Sequence, residues 1–207
     1  MNVGIIGSGN IGGTAAKLFA AAGHQVAVSN SRGPETLRSL VEEIGPNAHA
    51  ATVEEAAEFG EVVMEAIPFG LYQELPADRL SGKILVTASN YYPGRDGEIE
   101  HGGLASSELV QRHLSGARVV KAFNTIYYER LRDNGRPDAP LGERESIFVA
   151  GDDEEAKDVV SGLVEEIGFA PVDTGTLAGS REQEPGSPVY NVTMTPDKAR
   201  EALAGIG

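Results

Sequence analysis

Three glycines in the run Gly7-Ser8-Gly9-Asn10-Ile11-Gly12 could hold a pyrophosphate, each by a different physical route. Gly7 permits a tight turn, Gly9 lets the backbone approach a phosphate with no Cβ in the way, and Gly12 lets a helix pack closely on a strand. The elements that must position them are legible on either side. Val3 to Ile6 is a short apolar run that predicts a buried strand, and Ile11, Ala15, Leu18, Phe19 and Ala22 recur at helical spacing until Gly23 can stop the helix. The unpaired N–H groups at the start of that helix, from Ser8 through Gly12, would face the phosphates, and its dipole favours their charge. A glycine triplet between a strand and a helix predicts a dinucleotide site.

About twenty residues further on, a site for NAD would place an acid to hold the ribose 2′-hydroxyl. Here the strand His24 to Ser29 ends in Asn30-Ser31-Arg32. Two small polar side chains and a guanidinium suit a 2′-phosphate, so the sequence predicts NADP(H). Later strand ends supply the remaining candidates. Val62 to Ile67 is broken by Pro68, and Ala66, Ile67 and Pro68 are expected to border the nicotinamide half. Lys83 to Ala88 delivers Asn90, Tyr91 and Tyr92, while Arg118 to Phe123 delivers Ala122, Asn124 and Tyr127. Asn90 and Asn124 are expected to orient a carboxamide or an electron acceptor, and the tyrosines to wall the pocket, although they could equally be interfacial packing. Glu65 is anomalous, because a carboxylate in a strand buried on both faces is costly unless paired or protonated. The polar loop 94–103 is either a lid or a disordered excursion.

Composition narrows the chemistry. Lys and Arg number 17 against 31 Asp and Glu among 207 residues, which argues against nucleic-acid and anionic-membrane partners. There is no cysteine, which removes thiolate catalysis and thiolate metal sites. His24, His49, His101 and His113 lack ligand spacing, so no metal is expected, and His49 is expected to be packed. No leader and no bilayer-length apolar run is visible, so the expected location is cytoplasmic. Strands and helices alternate from end to end, with Arg132 to Arg144 expected as loop and Ala156 to Ile167 as the cleanest helix. The pattern predicts an α/β fold, a Rossmann-like doubly wound, mostly parallel sheet with helices on both faces. Residues 1–181 would form it, and 182–207 a short extension packed against it.

GSGNIGG at 7–13, NSRGPE at 30–35, SNYYPGRDG at 89–97, VKAFNTI at 120–126, AGDDEEAK at 150–157 and IGFAPVDTGTLAGSR at 167–181 together cover nearly the whole chain. In this combination the sequence resembles the NADPH-dependent coenzyme F-420 (F420) reductase family, which also includes the NADPH-binding domains of certain membrane ferric reductases. The resemblance implies hydride transfer between NADP(H) and a deazaflavin (F420) or flavin (FMN or FAD) acceptor. It places the pyrophosphate loop on Gly7 to Gly12, the 2′-phosphate clamp on Ser31 and Arg32, and cofactor-lining strand ends on Ala66 to Pro68 and Ala122 to Thr125. The sequence departs from the family after Arg181, where a longer segment is usual, and at Asn124 to Tyr127. A homodimer that completes each acceptor site is expected. Two other readings stay open: an NADPH-dependent reductase of a small carbonyl or imine, with Tyr91, Tyr92 or His101 as proton donor, and a non-catalytic NADP(H)-binding redox sensor.

Overall fold

A computed structural model describes residues 1–205. The first βαβ unit sets the frame. Strand β1 (Asn2–Ile6) is buried beyond its first residue, turns through the glycine loop into α1 (Asn10–Ala21), and returns as β2 (Gln25–Ser29), parallel to β1. Gly23, at φ 96°, occupies the left-handed region that ends a helix cheaply. Helix α2 (Arg38–Ile44) and the edge strand β3 (Ala48–Ala50) follow. Thr52 and Glu55 then form a reciprocal capping box that starts α3 (Val53–Phe59). His49 is exposed rather than packed: it lies on the edge strand with its ring edge-on to Phe59, 4.8 Å between centroids.

The second half adds β4 (Val62–Glu65), α4 (Ala77–Leu80), β5 (Ile84–Thr87), α5 (Pro93–Asp96), α6 (Ser106–His113) and β6 (Arg118–Lys121). Helix α5 falls at the start of the segment expected as irregular loop. Helix α7 (Tyr128–Asp133), β7 (Ser146–Gly151), α8 (Glu154–Glu166), β8 (Ala170–Asp173) and α9 (Pro196–Ala204) complete the chain. A single turn of 3-10 helix, Leu141–Glu143, interrupts the loop expected up to Arg144.

The strand order is β3-β2-β1-β4-β5-β6-β7-β8. The first six strands are parallel, whereas β7 runs antiparallel to β6 and β8 follows β7. The link between β6 and β7 holds α7 and the 3-10 turn, and β7 pairs antiparallel to the end of β6. Only Ala150 and Gly151 pair with β6, and the rest of β7 stands beyond that edge as a wall.

Alternation along the strands divides the core. Val3, Ile5, Val62, Met64, Val86 and Val120 pack with α1 and α8 on one face. Val63, Leu85 and Val119 face α6 on the other. By the period of two, Glu65, Thr87 and Lys121 point to the α6 side as well, and all three are buried. No helix among the described residues is long and apolar enough to cross a membrane.

Candidate functional site

The reversal of strand order between β1 and β4 opens a crevice at the carboxyl edge, where open α/β sheets take their ligands. Two cavities lie there. One, of about 320 Å³, is lined by Gly7, Ser8, Gly9, Asn30, Ser31, Arg32, Ala66, Ile67 and Pro68, and by Glu74. The other, of about 350 Å³, is lined by Asn10, Ile11, Ala66, Ile67, Pro68, Asn90 and Asn124, and by four tyrosines. The strand end Ala66 to Pro68 is common to both, so the two form one split cleft running across the glycine loop. Gly12 and Ala122, also predicted as site residues, are fully packed and line neither part.

The three glycines separate by what surrounds them. Gly7 has φ 108°, and a Cβ there would lie 2.5 Å from the Ala66 carbonyl oxygen. At Gly12 a Cβ would drive into the Gly7 carbonyl, so this glycine brings α1 onto the turn. A Cβ at Gly9 would meet nothing within 4 Å. The protein's own packing therefore gives no reason for glycine at 9, whereas a phosphate approaching the backbone does. Helix α1 has no side-chain cap and no acid in its first turn, which leaves its N–H groups and dipole for an anion. These features fit a dinucleotide pyrophosphate.

Asn30 has a positioning part. Its Nδ2 donates to Ser8 Oγ at 3.2 Å and Thr36 Oγ1 at 2.9 Å, while its Oδ1 accepts from the Arg32 backbone N–H at 2.9 Å. This ties the turn after β2 to the glycine loop and presents Ser31 and Arg32, both exposed, at the cavity rim.

In the second cavity Asn90 and Asn124 hold each other. Asn90 Nδ2 donates to the Asn124 carbonyl at 2.8 Å, and Asn124 Nδ2 donates to Asn90 Oδ1 at 3.1 Å and to the Gln183 carbonyl at 2.8 Å. Asn124 Oδ1 is buried without a protein partner, a polar atom that the protein's own packing leaves unsatisfied. Among the described residues two non-glycines have positive φ, Phe123 at 64° and Asn191 at 61°, and both line this cavity. Strained backbone of this kind persists where the surroundings over-determine it, commonly at ligand sites.

Beneath the floor lies a buried polar cluster. Glu65 accepts from Thr87 Oγ1, from Ser89 Oγ at 2.7 Å and from the Ile67 N–H at 3.3 Å, and so braces the shared strand end. Lys121 Nζ donates to the Ser89 carbonyl at 2.7 Å and Ser106 Oγ at 3.0 Å. Burial pushes the Glu65 carboxyl up and the Lys121 amine down to about 8, both towards neutral forms.

Tyr92 and Tyr127 line the acceptor-side cavity, but Tyr91 and His101 do not. They border a separate cavity of about 190 Å³ with Phe69, Ser106 and Glu184. Lining residues given no role from sequence include Arg95, Tyr128, Tyr190 and Asn191. The last two come from the segment after Arg181, which returns over the cleft. The Tyr-Asn pair at 190–191 was the available signal, and nothing in its spacing says where the chain returns.

The mostly parallel order, the glycine turn and the split cleft define a fold of the Rossmann type. A family model described as NADP oxidoreductase coenzyme F420-dependent matches residues 2–91. The metalloreductase STEAP3 of Rattus norvegicus is 35% identical over 184 residues, 88% of this chain and 35% of that protein. The F420-dependent NADP reductase of Methanocaldococcus jannaschii is 33% identical over 153 residues, 65% of this chain and 62% of the relative. This chain thus spans less than two thirds of either relative. The crystal structure of a protein from Arthrobacter sp. FB24, itself proposed to be an F420-dependent NADP reductase, superposes with a TM-score of 0.73 at 28% identity over 87% of each chain. Residues 2–91 thus carry the match to the NADP oxidoreductase coenzyme F420-dependent family model, and the similarity to STEAP3 extends well beyond them.

Proposed function

We propose that this chain binds NADP(H) across the split cleft and passes a hydride between it and a deazaflavin (F420) or flavin (FMN or FAD) ring. The observation that carries this reading is the sharing of Ala66, Ile67 and Pro68 by the two cavities. One extended molecule can lie over that strand end, its charged half beside Gly7 to Gly9 and Arg32 and its ring beside Asn90 and Asn124. The family model and the F420-dependent relative support the same assignment.

The bound dinucleotide would supply the hydride chemistry, and the protein's part is alignment and exclusion of water. First-turn N–H groups of α1 would hold the pyrophosphate. Arg32 would pair with the 2′-phosphate, its guanidinium being free of any acid among the described residues. The Asn90–Asn124 pair would border the carboxamide. A cytoplasmic location and a homodimer that completes each acceptor site go with this reading, and light scattering checks the second.

The deciding experiment follows NADPH oxidation by purified protein with F420, FMN, FAD or no acceptor, alongside Arg32→Ala. Turnover with a deazaflavin or flavin, and a loss of about 1.5–3 kcal/mol in NADPH affinity with NADH little changed, are the expected results. Tight NADPH binding with no turnover on any acceptor refutes hydride transfer to a flavin-type ring.

A further inference from the structure

We propose that Tyr190 is a catalytic residue that delivers the proton accompanying hydride transfer, with Tyr92 linking it to solvent. This rests on the reading above, in which the cleft of Asn90 and Asn124 holds the acceptor ring.

The need follows from the balance: NADPH plus oxidised acceptor plus one proton gives NADP⁺ plus an acceptor carrying two more hydrogens. The hydride's bond to the nicotinamide breaks and a bond from that hydrogen to the acceptor forms, so two electrons leave NADPH and enter the acceptor. The acceptor ring is then short of one proton. In the proposed step the Tyr190 O–H bond breaks, its proton bonds to the acceptor nitrogen that gained charge, the Tyr190 phenolate takes the Tyr92 proton, and Tyr92 takes one from water.

The geometry suits this order. The Tyr190 and Tyr92 hydroxyls are hydrogen-bonded to each other, and both residues line the acceptor-side cavity. Tyr190 is half-buried, whereas Tyr92 is 36% exposed, so the pair runs from the cleft to the surface. Asn90 Nδ2 lies 3.5 Å from the Tyr190 hydroxyl, which places that hydroxyl beside the amide expected to orient the ligand. The Arg95 guanidinium, held by two 2.8 Å hydrogen bonds to Asp96, sits 5.0 Å from the Tyr92 ring centroid and donates to the Asn90 carbonyl at 2.7 Å, which fixes the mouth of the cleft beside the two tyrosines.

Other lining groups are less suited. Ser89 Oγ is committed to Glu65, Tyr128 bonds Glu129, and Tyr127 is 50% exposed. Backbone strain points the same way. The Asn191 N–H donates to the Thr125 carbonyl at 3.0 Å while Asn191 itself is left-handed, so the returning segment is pinned to the end of β6 with Tyr190 aimed at the cleft. Burial and the bond to Tyr92 hold Tyr190 above the usual tyrosine range and so weaken it as an acid, while the Asn90 amide and the Arg95 charge act in the opposite direction.

The test uses the whole chain and the variants Tyr190→Phe and Tyr92→Phe. Two readouts are taken: binding of NADPH and of the acceptor by fluorescence, and hydride transfer in H₂O and in D₂O. Tyr190→Phe should bind both ligands within about threefold of the unmodified chain, lose turnover on the order of 10²-fold, and lose the solvent isotope effect. Tyr92→Phe should lose about tenfold, and it carries the test alone if Tyr190→Phe does not fold. Unchanged turnover and an unchanged isotope effect in both variants overturn the proposal while leaving the proposed function standing. Weakened acceptor binding in proportion to lost turnover also overturns it, by making Tyr190 a wall. No turnover by the unmodified chain on any acceptor overturns both.

Discussion

Alanine at Gly9 and alanine at Gly12 should fail in opposite ways. At Gly12 the added methyl would lie 3.0 Å from the Gly7 carbonyl carbon and 3.2 Å from the Ala66 Cβ, and closer still to the Gly7 carbonyl oxygen. Those neighbours are a backbone turn and a strand end, which cannot swing aside. Helix α1 must back off the sheet, and overpacking of this sort costs about 1–3 kcal/mol. At roughly 2–4 °C per kcal/mol for a chain of this size, the melting temperature should fall by about 2–12 °C. At Gly9, φ −71° and ψ −166° are open to alanine, and its Cβ meets no protein atom within 4 Å. A poorer helix cap and a stiffer unfolded chain nearly cancel, each being on the order of 0.5–1 kcal/mol, so melting should move by no more than about 2 °C. The methyl would instead occupy the path of a phosphate. Losing one charge-assisted hydrogen bond, about 1.5–3 kcal/mol, weakens NADPH about 10- to 100-fold. Calorimetric NADPH titration beside thermal melts checks both halves. A Gly9→Ala protein that keeps its NADPH affinity, or that melts as early as Gly12→Ala, would refute the assignment of the loop.

Three further outcomes follow from the electrostatics. The raised Glu65 contributes stability that is present below its unfolded value of 4.5 and is lost as pH rises through its folded value. Glu65→Gln should therefore gain on the unmodified chain in melting temperature as pH is raised from 4 to 8, and a constant gap would show that Glu65 does not titrate in this environment. Lys121 behaves with the opposite sign: held down to about 8, it contributes stability above 10.5 that is lost as pH falls through about 8, so Lys121→Met should flatten the alkaline arm of the same profile. Asp153, the cap of α8, is drawn down to about 2 by its hydrogen bond from Arg118, and its contribution should fade between pH 4 and 2, a shoulder in acid unfolding that Asp153→Asn removes.

What could be read from the sequence, and what could not, divides by range. The turn at Gly7, the capping box at Thr52 and Glu55 and the helical spacing before Gly168 are contacts within a few residues, so pattern alone exposes them. Glu65 was visible as an anomaly for the same reason, since a carboxylate inside an apolar strand breaks a local rule. Its partners Thr87 and Ser89 lie more than twenty residues away, on a strand whose register the sequence does not state. The antiparallel β7 was hidden because strand direction depends on the path of the link from β6, and no helix was read from the short stretch that forms α7. The same limit governed the acceptor side. Tyr190 meets Tyr92 across ninety-eight residues of chain, held there by the backbone bond from Asn191 to Thr125, by Arg130 donating to Asn191 Oδ1 and Thr193 Oγ1, and by the buried Val189. A reading from local pattern therefore finds the half of the cleft built from one βαβ unit and misses the half assembled by the returning C-terminal segment. On the proposed reading the phosphate-binding half recognises the dinucleotide alone, and acceptor identity should be decided in the second half, where Tyr92, Arg95 and Tyr190 converge.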